Sequence, residues 1–470
     1  MPDSPPAPRS LGELRRSGYR SRSIREELRA NLLERLRAGK GICEGVLGYD
    51  DTVFPALMNA LLCGHDLIFL GERGQAKTRM IRSLVSLLDE WLPEVAGSEI
   101  HDDPFTPVSA AARASVAEQG DDAEIAWVHR DERYVEKLAT PDVSVGDLIG
   151  DVDPVRVAEG RRLSDELTIH FGLVPRTNRG IFCINELPDL TEKVQVGLFN
   201  VMEERDVQIK GYRMRLPIDV FLVASANPED YTSRGRIITP LKDRYAAQIR
   251  THYPRTRALE LAIVEQEARM PSADGIALHA PAFMKEIVGE ITLQARQSPD
   301  VNQTSGVSVR MSIANYETLL ANAVRRALCV GEEEAVPRIS DLEALHASSS
   351  GKLEFEYVGA ERTETEVIEG LLKRATKLVF DERVPLEGTV SVLESFDQGW
   401  KVEVSQAMLS REYLAGLDEI AGLREAATRL AGGDSPACIA SAVEFILEGL
   451  HLSNRLNKRM SERGALYAKA

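Results

Sequence analysis

The sequence predicts an α/β fold, a parallel-sheet core followed by a helical lid and a mostly helical C-terminal region. Three observations predict it. Short apolar runs, "DLIFL" (66–70), "GIFCIN" (180–185) and "DVFLVASAN" (219–227), alternate with helical stretches between residues 44 and 254. These runs are apolar nearly throughout rather than at every second position, which suits parallel strands covered on both faces. From residue 255 the apolar positions recur every three to four residues in "RALELAIVEQEARM", "APAFMKEIVGEITLQARQ" and "IANYETLLANAVRRAL", the period of an α-helix.

Composition bounds what such a chain does. Its 470 residues allow about three domains at roughly 150 residues each. With 43% apolar and 28% charged residues it reads as a globular protein. The formal charge of −16 argues against coating DNA or RNA, which needs a basic face, so nucleic acid is not an expected partner. No membrane span is expected, because "VFPALMNALLCG" falls short of the roughly 18 apolar residues required and runs into His65 and Asp66. The N-terminus lacks the apolar core of a secretory signal. Cys43, Cys63, Cys183, Cys329 and Cys438 form no CxxC pair. They read as reduced thiols in a cytoplasmic protein, with no zinc site or disulfide frame.

In chain order, residues 1–43 form a basic N-terminal arm, disordered over its Pro/Ser-rich start and helical from about 11 to 40. Leu28, Leu32, Leu33 and Leu36 mark the apolar side, among Arg15, Arg16, Arg20, Arg22, Arg25 and Arg29. Those arginines form either a solvated face or a docking surface for an acidic neighbouring subunit. Residues 44–254 are the sheet core, in which 98–165 turns acidic and irregular and reads as an insertion. Leu190, Val194, Leu198 and Met202 stripe a helix over 190–203, and "RDVQIKGYRMRLP" reads as a hairpin around Lys210-Gly211. Residues 255–335 form the lid and end in a polar break, "GEEEAVPRIS". Residues 336–470 hold a strand, "KLEFEYV", and two amphipathic helices, "VIEGLLKRATKLVF" and "SPACIASAVEFILEGLHLSNRLNKR". The second opens with Ser435 as N-cap and Pro436 in its first turn.

The chemistry concentrates at three strand ends. In "LIFLGERGQAKTRM" (67–80) a strand, a glycine-bearing turn and a helix starting near Lys77 make the context of a phosphate cradle. Gly71 and Gly74 supply backbone freedom, Lys77 would reach the β- and γ-phosphates, and the Thr78 hydroxyl would bind Mg²⁺. Glu72, Arg73, Gln75 and Ala76 complete the loop. Ala76 stands where the usual spacing has glycine; a helical φ there makes its methyl group cheap. The plain alternative is a strand–turn–helix without a ligand.

"GIFCINELPDL" ends a strand in Asn185-Glu186, where Asp-Glu is the usual pair. The first residue helps position Mg²⁺, and the second orients or deprotonates the attacking water. Asn185 keeps an oxygen acceptor without the charge, and Glu186 is the candidate base or, more simply, a carboxylate at a helix N-terminus. Asn227 ends the strand expected between those two and would touch the γ-phosphate and the lytic water, or else is a turn residue before Pro228. Arg244, in "TPLKDRYAAQI", would reach a neighbour's γ-phosphate, unless it pairs with Asp243 or another acid. Arg234 and Arg236 are weaker candidates for that task, and Arg310 would report nucleotide state or lie on a helix surface.

The order of these motifs resembles that of P-loop AAA+ ATPases, and within them the MoxR and magnesium-chelatase ATPase-subunit (helix-2-insert) group. "GVLGYDD" before the loop, "GQAKT" within it, "VGDLIGDVDPVRVAEGR" before the Asn-Glu strand and the hairpin after it carry the likeness, which spans about 40–330. The resemblance implies Walker A roles for Lys77 and Thr78 and Walker B roles for Asn185 and Glu186. It implies Asn227 as sensor 1, Arg244 as arginine finger, Arg310 as sensor 2 and Tyr49 on the adenine side. It also implies ATP and Mg²⁺ as cofactors, a homo-oligomeric and hexameric ring, and a protein client or von Willebrand A domain partner. The expected function is Mg²⁺-dependent ATP hydrolysis that remodels or activates a partner protein, a chaperone-like role. Two alternatives stay open: a nucleotide-gated scaffold with weak hydrolysis, and the ATPase subunit of a magnesium chelatase.

Overall fold

The computed structural model describes residues 4–470 except 154–167, 208–215, 228–235, 273–274, 356–362, 418–419 and 462–463. The predicted hairpin tip, Arg234 and residues 154–165 of the expected insertion lie outside the described residues. The chain divides into two compact units, Met1–His252 and Tyr253–Ala470.

The first unit is built on a five-stranded, wholly parallel sheet. Its strands are β1 (Leu67–Leu70), β2 (Tyr134–Leu138), β3 (Gly180–Asn185), β4 (Val220–Ala226) and β5 (Ala247–Arg250), in the order β5-β1-β4-β3-β2. Every residue of β1, β3 and β4 is buried, as their continuous apolar sequences require. Alternate side chains serve opposite faces. Ile68, Phe182, Ile184, Leu222 and Ala224 pack on one, and Leu67, Phe69, Ile181, Phe221 and Val223 on the other. Each large apolar side chain buried this way contributes about 1.5–3 kcal/mol.

β2 corrects the sequence reading. It lies inside the 98–165 stretch expected to be an insertion, yet it forms the sheet edge beside β3. Its sequence, "YVEKL", is half-buried, so it lacks the continuous apolar run that marks the central strands. Ile125–His129, also in that stretch, pairs antiparallel with Trp91–Val95.

The basic arm belongs to the first unit. Its helices are Leu11–Arg16 and Ile24–Arg37, the second closed by a Ser23/Glu26 capping box. Ile24, Leu28 and Leu32 enter the apolar cluster that also holds Leu67 and Phe221. Several arm arginines meet acids and carbonyls of their own chain. Arg25 pairs with Asp66 at 2.7 Å, and Arg29 donates to the Leu62 carbonyl at 2.7 Å. Glu27 takes a two-pronged pair from the fully buried Arg133, at 2.8 and 2.6 Å. Removing either partner strands a buried charge, a loss of about 3–5 kcal/mol.

In the second unit one apolar cluster runs from Val264 to Tyr467, so the segments 255–335 and 336–470 share a core. Helices Ala282–Ala295 and Pro436–Leu452 meet there through Phe283 and Phe445, stacked at 4.5 Å between ring centres. The predicted last helix is shorter than its sequence pattern suggests. It ends at Leu452, Asn454 turns left-handed (φ 57°), and Leu456–Met460 becomes a strand paired with Ala465–Lys469. Of "KLEFEYV", Phe355 makes one isolated bridge to Val301, and residues 356–358 lie outside the described residues. Among the described residues no single helix is long and apolar enough to cross a membrane.

Candidate active site

The site grows from the C-terminal ends of β1, β4 and β3. After Leu70 the chain turns through residues 71–76 into the helix Lys77–Ser83. Gly71 is fixed by crowding: a Cβ there would lie 1.9 Å from Thr251 Oγ1 and 2.3 Å from Gln75 Oε1. Those two side chains are themselves hydrogen-bonded at 2.6 Å across the glycine. Gly74 has φ 77°, a conformation natural to glycine. Ala76, expected to be helical, instead has φ 55° and ψ 17°. The glycine of the usual spacing is therefore conformationally meaningful here, and alanine costs about 1–2 kcal/mol in the left-handed region.

Lys77 is 7% exposed. Its ammonium donates to the Gly71 carbonyl, to the Glu72 carbonyl at 2.9 Å and to Asn227 Oδ1 at 2.8 Å. Two residues singled out from separate motifs, 150 positions apart, are thus in direct contact. Thr78 is half-buried on the next helical position, and Arg73 is exposed at the loop tip. Tyr49 lies under the loop, its hydroxyl 3.0 Å from the Gln75 carbonyl and 2.9 Å from the His252 carbonyl. Burial pushes that hydroxyl up to about 12, so it stays a neutral brace. Beside the loop a cleft is lined by Leu70, Glu72, Gln75, Lys242, Arg250 and Thr251.

Asn185 and Glu186 close β3. Asn185 is buried, and both ends of its amide are engaged. Its Nδ2 donates to Glu136 on β2, and its Oδ1 accepts from Ser225 Oγ on β4 at 3.1 Å. The backbone N–H of Glu186 donates to the same Ser225 hydroxyl at 3.2 Å. Glu186 has φ 54° and ψ 49° and opens a short 3₁₀ turn without a side-chain capping bond. Glu136 also receives Arg82 at 2.8 and 3.0 Å and the Tyr134 hydroxyl at 2.9 Å. Burial raises its carboxyl, but the bonds from Arg82, Tyr134 and Asn185 outweigh that and hold it below the ordinary glutamate range. Glu136, Ser225 and Thr251 escaped the sequence reading, since none belongs to a spaced motif. For Ser225 and Thr251 the one available signal was their place at or beside strand ends, whereas Glu136 lies in the middle of β2 and gave none.

Within the first unit the structure does not bring Arg244 or Arg236 into this cluster. Arg244, at the end of the helix Thr239–Arg244, pairs with Glu203, donates to the Pro240 carbonyl at 2.7 Å and lies 4.6 Å over the Phe199 ring. Its acid partner is therefore Glu203 rather than Asp243. Arg236 is exposed. Arg310 is exposed on the first turn of Val309–Val330, in the second unit.

The donor set suits a triphosphate with a hard cation. Lys77 and the helix N-terminus are anion donors, while the Thr78 hydroxyl, the Asn185 amide oxygen and the Glu186 carboxylate are oxygen ligands of the kind Mg²⁺ takes.

Comparison with known proteins agrees with this geometry. The Sigma-54 interaction domain family matches residues 165–242. Magnesium-chelatase subunit ChlI of Nostoc sp. (strain PCC 7120) is 27% identical over 256 residues, 53% of this chain and 62% of that protein. The chloroplastic subunit ChlI-1 of Arabidopsis thaliana is 26% identical over 234 residues, 48% of this chain and 51% of that protein. The chain thus spans about half to three-fifths of the length of these relatives. A reconstruction of the complex between subunits BchI and BchD of magnesium chelatase is 20% identical, covering 70% of this chain and 99% of that one with a TM-score of 0.35. At that score it carries no weight beside the strand order itself. β4 lies between the loop strand and the Asn-Glu strand, and over about half of its length the chain is similar in sequence to AAA+ ATPases of the magnesium-chelatase group.

Proposed function

We propose that the protein is a Mg²⁺-dependent ATP hydrolase of the MoxR and magnesium-chelatase kind, working as a ring to remodel or activate a partner protein. The contact between Lys77 and Asn227 carries this reading, because it joins the loop lysine to the strand-end amide at one point. On this reading the loop N–H groups and Lys77 bind the phosphate oxygens, with Thr78 and Asn185 on the cation side. Mg²⁺, when bound, neutralises phosphate charge as it develops. Glu186 orients the attacking water and accepts its proton, and Asn227 holds the water and the γ-phosphate in line. Arg244 serves the neighbouring subunit's site. A hexamer, and a von Willebrand A domain as partner, follow from the family likeness and fit an arginine that lies apart from its own loop.

The experiment is Glu186→Gln. Phosphate release should fall by about 10²–10⁴-fold while binding of a fluorescent ATP analogue is kept. Equal turnover in both proteins removes Glu186 from this role. Wild-type release at the background of a loop-lysine variant, with the analogue bound, favours a nucleotide-gated scaffold. A motor for magnesium chelation rests on the relatives' names alone.

A further inference from the structure

The hydrogen bonds around Asn185 run in one direction. Arg82 and the Asn185 Nδ2 donate to Glu136; Ser225 donates to Asn185 Oδ1; the Glu186 N–H donates to Ser225. The amide orientation is thereby set, nitrogen toward β2 and oxygen toward β4. An aspartate at 185 has no donor for Glu136 and would press one carboxylate against another. Asparagine is the residue that an acid at 136 demands. We propose that Glu136 supplies the negative charge missing at Asn185: the acid of the Walker B pair sits on the neighbouring strand and acts on the cation site through the Asn185 amide. This rests on the ATPase reading above.

Two further observations support it. Register places Glu136 opposite Cys183, whose side chain shares the face of Asn185 two residues on, so the carboxylate lies alongside the end of β3. Arg82 is four residues after Thr78 in the loop helix, one turn away on the same face. The Arg82–Glu136 pair, at 2.8 and 3.0 Å, thus ties the carboxylate to the helix face that carries the cation-binding hydroxyl. Accepting a charge-assisted bond from Nδ2 polarises the amide and makes Oδ1 a better acceptor. That oxygen has two lone pairs; Ser225 donates to one, and only the weakly donating Cys183 thiol, at 3.6 Å, competes for the other. Glu136 is therefore a positioning residue rather than a ligand. A plain ion-pair clamp is the competing role.

The test uses the full chain as wild type, Asn185→Asp, Glu136→Gln and the double variant. Two quantities are read: the melting temperature without nucleotide, and the MgCl₂ concentration at half-maximal binding of a fluorescent ATP analogue. Either single variant should raise that Mg²⁺ midpoint by about tenfold, and the double should return to within about threefold of wild type. Asn185→Asp alone should also melt lower than the double. A Mg²⁺ midpoint unmoved by Glu136→Gln, with melting lowered, reduces Glu136 to a clamp and overturns the proposal. So does a tighter midpoint in Asn185→Asp alone. Should Glu136→Gln fail to fold, Asn185→Asp against the double still decides by rescue or its absence. A wild type that binds no analogue at any Mg²⁺ concentration overturns the ATPase reading and this proposal together, whereas normal wild-type binding without rescue overturns this proposal only.

Discussion

Ala76 and Glu186, at two of the strand ends that form the site, hold left-handed backbones, with φ of 55° and 54°. Such conformations cost non-glycine residues about 1–3 kcal/mol each and persist where the surroundings over-determine them. At Ala76 the constraint is the loop, pinned by the Thr251–Gln75 bond and by Tyr49 beneath. Ala76→Gly should relieve about 1–2 kcal/mol of left-handed strain. Glycine's extra freedom in the unfolded chain returns about 0.4–1 kcal/mol of that. The expected outcome is a gain of about 0.5–1 kcal/mol in urea unfolding. A loss would mean that the methyl's contact with the apolar cluster beside it dominates. The sequence displayed the odd residue but not its backbone angle. A spacing rule locates the lysine and hydroxyl because they are chemically distinctive, whereas φ depends on how the turn is braced from below. That bracing comes from Tyr49 and Thr251, which are far away in sequence.

β1, β3 and β4 were readable because strands buried on both faces leave an unbroken apolar run. β2 was not, since an edge strand buries only part of each side chain and "YVEKL" resembles loop sequence. The same blindness hid the C-terminal strands Leu456–Met460 and Ala465–Lys469, whose exposed positions are charged or polar apart from Met460. Missing β2 meant missing Glu136, which clamps the loop helix to the sheet edge through Arg82. The sign of its pH effect follows from its lowered carboxyl. A carboxyl held below its unfolded value stabilises fully above that value, and the contribution disappears as pH falls through the folded one. The stability difference between wild type and Glu136→Gln should therefore stay constant from pH 7 to about 5 and shrink below about 4.5. Urea unfolding across that range measures it. A difference that persists to pH 3 would show that Glu136 contributes without its charge.

For the molecule as a whole, Arg244 decides whether the proposed site is shared between subunits. Within its own chain it is held by an exposed partner, Glu203, and by the Phe199 ring at 4.6 Å. An exposed ion pair is worth about 0–1 kcal/mol and a cation–π contact about 0.5–1 kcal/mol. Releasing the side chain therefore costs about 0.5–2 kcal/mol. An arginine finger raises turnover by about 10³–10⁵-fold, or roughly 4–7 kcal/mol, so delivery to a neighbour outweighs release. Arg244→Ala and Glu186→Gln should each nearly abolish phosphate release as pure proteins. Co-expressed in equal amounts, they should recover it. A complete interface needs Glu186 from one subunit and Arg244 from the next, and about one interface in four of a randomly mixed ring has both. Phosphate release near a quarter of wild type is the expected result. If the mixture stays as inactive as its components, Arg244 does not act across a subunit boundary, and its bond to Glu203 is its whole role.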